Sequence, residues 1–535
     1  MKPTEEQQAI IECDTRLLRV NAFAGTGKTS TLVEYAKARP NDRILYIAFN
    51  KAIQTDAQGR FPQYVRSATS HGLAFREFGS KYKDKLVGNL KANQIAEALS
   101  FSRAPFSFAP HTALLAGQQV VSTLARFFAS SADEIGPQHV VMTGETESLP
   151  YGPDDVVHMT KLAWARMINV EDASIGMLHD GYLKLYQMSK PRLPFDIILF
   201  DEAQDANPCT LDIVLGQSAA KVLVGDAHQS IYLFRGAENA MESIDPTISL
   251  DLTGSFRFGK SIAATANAML HHLRGEKRRI RGLGGKDELA ALDRKTPHAV
   301  ICRSNSTVFD EAVINMTLGR KIAFVGGPQS YTFDKVADGH KLMQGEIGSI
   351  RDPFIRAFGN YDKMVDFAES TDDRELKSLI RVCGKYGRDV PLFVKAVANC
   401  AVESNKADVT LMTAHKSKGL EFNNVRLTDD FTDLLTKRGD IPSQQDIKAE
   451  ELNVLYVAAT RAKARLEVNG NLASFLKRAS EDPKSPITKE LTRRLDAASS
   501  APQVLTSSAA IRNLVKSRKA NIKEYVHGGK FNPEF

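Results

Sequence analysis

NAFAGTGKT, residues 21–29, stands between a short apolar run (Leu17, Leu18, Val20) and a stretch of helical spacing over 30–38 that carries Leu32, Val33 and Tyr35. The run suits a buried parallel strand. The order is then strand, glycine-rich loop, helix, the setting in which a phosphate-binding loop works. Successive backbone N–H groups and the helix N-terminus face an anion, and Gly25 and Gly27 permit the tight path. Lys28 reaches the terminal phosphates, and the Thr29 hydroxyl becomes a magnesium ligand. Ala22 occupies the first position, where glycine is usual. The plain alternative is a chance glycine-rich turn ahead of a helix, and two later stretches weigh against it.

The first is FDIILFDEAQD, residues 195–205. Its continuous apolar run suits a strand buried on both faces. Asp201 and Glu202 follow at its carboxyl end, where doubly wound sheets bind ligands. Asp201 is expected to hold magnesium, and Glu202 to orient or deprotonate an attacking water. The second is KVLVGDAHQSIYLFRGA, residues 221–237, a strand followed by Asp226 and Gln229. A neutral amide near a γ-phosphate senses it through one hydrogen bond, which makes Gln229 a coupling candidate. Tyr232 and Phe234 beyond it either stack on bases, at about 1–3 kcal/mol each, or pack in a core. The spacing leaves both open.

Upstream, PTEEQQAI (residues 3–10) opens a helix with Thr4 as N-cap and Gln7 three positions on, a capping-box pattern. With a phosphate loop following, the Gln7 amide also suits an adenine edge. Residues 43–49 form a strand, with Asn50 and Lys51 after it. SATSHGLAF (67–75) puts Thr69 and His71 at the end of another short strand. From about 80 to 190 helical patterns (94–101, 120–128, 156–168) alternate with proline and glycine turns, which reads as a mostly helical insertion between strands.

At 535 residues several domains are expected. A formal net charge of +7 permits a nucleic-acid partner without demanding one. Cys13, Cys209, Cys302, Cys383 and Cys400 are scattered with no paired metal spacing, so a reducing compartment and no structural metal are expected. MKPTEEQQ has no apolar core and no run approaches bilayer length, which predicts a soluble cytoplasmic protein without membrane attachment.

AFAGTGKT, DEAQD and VGDAHQSIYLFRGA resemble motor motifs of superfamily 1 DNA helicases of the UvrD/Rep type. AVICRSN (299–305), LTGSFRFG (252–259), VTLMTAHKSKGLEF (409–422) and EELNVLYVAATRAKARL (450–466) agree in order. HDGYLKLYQMSKPRLPFDIILFDEAQDANP (179–208) and VGGPQSYTFDK (325–335) are similar to the helicase portion of the F-box DNA helicase family. No F-box is expected ahead of Gln7.

The resemblance implies an α/β fold of two RecA-like P-loop motor domains with parallel sheets, each carrying a mostly helical insertion. The first motor domain would span 1–80 and 190–255, with its insertion at 81–189. The second would span 256–330 and 402–475, with a short accessory insertion at 331–401. A linker and basic tail would occupy 476–535. It implies an ATP- and Mg2+-dependent DNA helicase or translocase moving 3′-to-5′ on single-stranded and tailed duplex DNA in repair or recombination. A translocase that strips recombinase from single strands is the nearer alternative, and a nucleotide-gated recruitment module the more distant one.

By the same resemblance, Gln7 and Phe256 hold adenine and Glu421 meets the ribose. Ala22, Gly25, Thr26, Gly27, Lys28 and Thr29 cradle phosphate, with Thr29 and Asp201 on magnesium. Lys28, Glu202, Gln229, Arg257 and Arg461 carry the chemistry, the two arginines coming from the second motor domain. Asn50, Lys51, His71, Tyr232, Phe234, Thr413 and His415 would line the single-strand track. Three positions depart from the family pattern: Ala48 with Phe49, Phe234, and Leu452 with Asn453.

Overall fold

The computed structural model describes residues 2–142, 149–232 and 239–499. The chain divides into two compact units between Thr253 and Gly254.

Unit 1 is built on a parallel sheet of β1 (Leu17–Ala22), β2 (Ile44–Ala48), β3 (Arg66–Thr69), β6 (Ile197–Phe200), β7 (Ala220–Gly225) and β8 (Ile248–Leu252), in the order β3-β2-β6-β7-β1-β8. All five residues of β2 and all four of β6 are buried. Alternation along the strand sends them to two different cores. Leu45, Ile47, Ile198 and Phe200 face the helical insertion, whereas Ile44, Tyr46, Ile197 and Leu199 pack with Leu32, Val33 and Tyr35 of the helix after the phosphate loop. This double burial is why both strands read as unbroken apolar runs.

α1 (Glu5–Glu12) precedes β1, α2 (Lys28–Lys37) follows it, and α3 (Lys51–Arg60) and α4 (Ser70–Glu77) follow β2 and β3. The helix expected over 30–38 thus begins at Lys28, directly after left-handed Gly27. His71 is the second residue of a helix rather than the end of a strand, because the Thr69 hydroxyl accepts the Gly72 N–H (3.0 Å) and starts α4 there. The insertion contains helices Ala92–Ala98, Pro110–Ala129, Pro153–Ile168 and His179–Met188, with a two-stranded pair of β4 (Leu86–Val87) and β5 (Met177–Leu178). Two of these start earlier than expected, with proline in the first turn, where its missing N–H costs nothing. The pattern at 94–101 stops short because Ser100 turns left-handed (φ 56°).

Unit 2 opens with the short pair β9 (Gly254–Ser255) and β10 (Arg281–Gly282). Its parallel sheet comprises β11 (Glu288–Leu289), β12 (His298–Cys302), β13 (Ile322–Phe324), β14 (Val409–Thr413), β15 (Phe422–Leu427) and β16 (Ala462–Glu467), in the order β11-β16-β15-β12-β14-β13. The segment between β13 and β14 is helical. It is fastened to helix Asn305–Thr317 by a buried group in which Lys385 and Tyr386 both donate to Asp310, at 2.5 and 2.7 Å. After β16, helices Gly470–Ala479 and Lys489–Ser499 bury Leu472, Phe475, Leu476 and Leu495. Folded structure therefore occupies much of 476–499, where a linker was expected, because apolar residues recur there at helical spacing. The tail beyond 499 lies outside the described residues.

Two parallel-sheet α/β units with helical insertions match the RecA-like arrangement. Among the described residues, no helix is long and apolar enough to cross a membrane.

Candidate functional site

The loop after β1 has the backbone that its glycines promised. Gly25 and Gly27 sit at φ 75° and 78°, in the left-handed region that side chains disfavour. Thr31 N donates to Gly27 O (2.9 Å), which opens the hydrogen-bond ladder of α2, and the N–H groups of the turn before it have no acceptor within the helix. Thr26 is buried and donates its hydroxyl to Phe23 O (2.9 Å), which closes the loop. Ala22 is the buried last residue of β1.

At the carboxyl end of β6, Asp201 accepts hydrogen bonds from the Thr29 hydroxyl and the Tyr46 phenol, both at 2.9 Å. Its other oxygen accepts the Glu202 N–H (2.9 Å). Glu202 itself adopts φ 54°, ψ 39°, a left-handed state costing a non-glycine residue roughly 1–3 kcal/mol. It is held there by Lys28 (Nζ to Oε1, 3.1 Å) and by the Gln204 amide (2.6 Å). Gln204 also accepts the Asp226 N–H (3.0 Å), so it joins the ends of β6 and β7. A side chain at 225 could not share that space, since a Cβ there would lie 2.5 Å from Gln204 Oε1. Buried Gln229 donates to Asp226 (2.7 Å).

Electrostatics follow from this packing. Burial pushes the Asp201 carboxyl above its ordinary range, and neighbouring Glu202 adds to the rise, opposed by Lys28 and the Thr29 and Tyr46 hydroxyls. Burial alone lowers Lys28, but Glu202, Asp226 and Asp201 outweigh it and hold the ammonium charged. One ammonium among three carboxylates leaves an excess of negative charge, which fits a divalent cation. Among the described residues, no set of three or more His, Cys, Asp or Glu side chains forms a metal site. A cation at Thr29 and Asp201 would draw its remaining ligands from phosphate and water.

In unit 2, Phe256 is 39% exposed, and Arg257 follows it. Arg257 pairs with Glu421 (3.1 Å) and donates to Thr460 O (3.1 Å). Glu421 is raised by burial, but Arg257 and Lys463 outweigh that and hold it below the ordinary carboxylate range. Arg461 is only 1% exposed; its guanidinium donates to Val457 O (2.9 Å) and Leu420 O (3.2 Å). The structure thus brings Arg257, Glu421 and Arg461 into one corner of unit 2.

Gln7 and Thr4 form the expected capping box, with Thr4 N donating to Gln7 Oε1 (3.0 Å) and Gln7 N to Thr4 Oγ1 (3.2 Å). Asn50 caps α3 through the Ile53 N–H (2.9 Å), and Lys51 bonds Gln54 (3.0 Å) on its exposed side. His71 Nε2 lies 2.9 Å from Asp180 of the insertion. Tyr232 stacks on Phe49 (centroids 5.5 Å apart, planes at 20°), which puts the departing Phe49 to use. Phe234 lies outside the described residues. Thr413 ends β14 and caps the next turn, which carries His415. Leu452 and Asn453 are buried, away from any surface contact. The basic run 277–281 includes Arg278 paired with Glu276 (2.7 Å).

Two functional side chains escaped the sequence reading. Tyr46 is one letter in an apolar strand, and nothing in its spacing says that its hydroxyl meets Asp201. Gln204 stood inside DEAQD, but its link to Asp226 needs β6 and β7 side by side.

A family model described as the UvrD-like helicase C-terminal domain matches residues 354–471, and one described as the UvrD/REP helicase N-terminal domain matches 177–244. F-box DNA helicase 1 of Gallus gallus is 35% identical over 515 residues, covering 90% of this chain and 50% of its own. F-box DNA helicase protein 1 of Schizosaccharomyces pombe is 34% identical over 514 residues, covering 88% and 58%. ATP-dependent DNA helicase UvrD1 of Mycobacterium leprae is 22% identical over 432 residues, covering 72% and 53%. The chain spans little more than half the length of these relatives.

Proposed function

The chain belongs to the UvrD/Rep-type family of superfamily 1 helicases, and on that premise we propose that it is an ATP-dependent motor on single-stranded DNA, moving 3′-to-5′ and unwinding duplex. One observation carries the reading: Lys28, Thr29, Asp201 and Glu202 meet beside a loop whose two glycines are already left-handed. The loop amides and Lys28 bind the phosphates of ATP, and Gln7 with Phe256 takes the adenine. Thr29 and Asp201 would hold magnesium, which when bound offsets charge on the β- and γ-phosphates. Lys28 exchanges its Glu202 partner for phosphate, and Glu202, released, orients and deprotonates water.

Arg257 and Arg461 act on the γ-phosphate in this reading, and Glu421 on the ribose. Arg257 is the one whose guanidinium is held mainly by an exposed carboxylate that an anion can displace. Asn50, Lys51, His71, Tyr232, Phe234, Thr413 and His415 form the DNA track, and phosphate contacts make its affinity fall with salt.

The test is ATP turnover by the purified chain with and without oligo(dT), followed by strand separation on 3′-tailed, 5′-tailed and blunt duplexes. Stimulated turnover with opening of 3′-tailed duplex alone is expected. Turnover that removes recombinase from single strands without opening duplex replaces unwinding by stripping. Nucleotide binding without DNA-stimulated turnover defeats the proposal.

A further inference from the structure

β8 ends at Leu252, and the chain leaves unit 1 through Thr253. Two separate parts of unit 1 grip this exit. Phe23 N, at the start of the phosphate loop, donates to Leu252 O (3.2 Å). One residue on, both oxygens of the Glu6 carboxylate are engaged by Thr253: its N–H donates to Oε2 (2.8 Å) and its hydroxyl to Oε1 (2.6 Å). Glu6 lies in the first turn of α1, directly before Gln7, in the turn that the Thr4–Gln7 capping box fixes.

The far side of Thr253 is held too. Gly254 and Ser255 pair with Arg281 and Gly282 in unit 2, and Phe256 and Arg257 come next. The chain therefore passes from a residue pinned in one unit to a paired residue in the other across a single peptide link. A carboxylate accepting two bonds gives a stronger grip than neutral partners would. Glu5 provides the contrast. It occupies the same helical turn and complements the same helix dipole, but it is exposed to solvent.

We propose that Glu6 is a positioning residue: by holding Thr253 it ties the segment 254–257 to the turn of Gln7 and to the phosphate loop, so that bound nucleotide sets the position of Phe256 and Arg257. This rests on the nucleotide reading of unit 1.

The test compares Glu6→Ala, Glu6→Gln, Thr253→Val and the control Glu5→Ala in the full chain. Losing both charge-assisted bonds in Glu6→Ala should lower oligo(dT)-stimulated kcat about tenfold while KM for ATP and affinity for a fluorescent ATP analogue stay within about twofold. Thr253→Val, which loses only the hydroxyl bond, should show a smaller kcat loss. Glu6→Gln should recover most of it, since an amide oxygen still accepts the N–H and its nitrogen donates to the hydroxyl. Glu5→Ala should match the wild type. Wild-type kcat in Glu6→Ala overturns the proposal, as does a loss confined to KM and analogue affinity, or a Gln variant as impaired as the Ala one. If Glu6→Ala does not fold by circular dichroism, Thr253→Val decides by the same split. If the wild type shows no DNA-stimulated turnover, the motor reading fails, and this proposal is decided by hydrogen exchange of peptide 252–258. Analogue-induced protection that disappears in Glu6→Ala supports it. Protection that persists, or none in the wild type, overturns it.

Discussion

In unit 1, Lys28 faces three carboxylates, Asp201, Glu202 and Asp226, gathered at the carboxyl ends of β6 and β7. In unit 2, Glu421 faces Arg257 and Lys463, with Arg461 beside it through Leu420 O, at the amino ends of β15 and β16. The first group carries a formal excess of two negative charges and the second an excess of two positive ones. The sheets are of one kind, yet their charged corners lie at opposite ends and have opposite sign. The two sheets thus differ in the charge that their corners suit, one a cation and a phosphate cradle, the other an anion. The corners also differ in commitment. Unit 1 spends its side chains on one another, so its site is preformed, while the Arg461 guanidinium is spent on the Val457 and Leu420 carbonyls.

The sharpest way to break this division is Arg257→Ala. If unit 2 supplies charge to the transition state, kcat should fall about 10³-fold, the lower end for arginine fingers, with analogue affinity little changed. A loss below tenfold in single-turnover ATP hydrolysis removes the catalytic half of the comparison. Glu202→Gln tests the other half. Loss of the base should lower DNA-stimulated turnover about 10²-fold or more while nucleotide binding, read by fluorescence titration, persists. Undiminished turnover would sink the role given to Glu202.

Arg461→Met probes commitment rather than chemistry. Removing the buried guanidinium's bonds to Val457 O, which keeps the Thr460 hydroxyl, and to Leu420 O, at an exposed residue, should cost about 1–3 kcal/mol in urea unfolding. An unfolding midpoint equal to wild type would show the arginine free to leave its pocket, and would move it to the catalytic side. Tyr46→Phe has the smallest expected effect. The phenol donates to ionised Asp201 and so favours the charged form; its loss raises the carboxyl further. If nucleotide and metal need Asp201 ionised, kcat/KM declines as pH falls through that raised value, and in Tyr46→Phe the decline should begin at higher pH. An unmoved acid limb separates Asp201 from the measured ionisation.

Legibility followed the range of the interaction. Gly25, Gly27, Lys28 and Thr29 were readable because a phosphate loop is local: turn, cradle and helix N-terminus lie within nine residues. β2 and β6 were readable because burial on both faces leaves no polar letter to confuse the pattern. Asp201 and Glu202 were readable as acids at a strand end, but the left-handed backbone of Glu202 was not, since it is upheld by Lys28 from outside the motif and by Gln204, which is itself tied to Asp226 of the next strand end. The Glu6–Thr253 bonds join residues 247 positions apart, and no periodicity encodes them.

What the sequence determined alone was the set of parts: a phosphate loop, paired acids, two parallel-sheet units, and candidate arginines in the second. Short-range spacing suffices for the loop and the acids, because strand burial and loop geometry are decided by neighbouring residues; the two units and the arginines came from the resemblance to the UvrD/Rep type. Which partner each charge takes was decided only by the tertiary structure. That choice depends on strand order and strand end, which bring Tyr46 to Asp201, Gln204 to Asp226 and Arg461 to the Leu420 carbonyl. Electrostatic energy depends on distance through space and on burial, and neither is carried by distance along the chain.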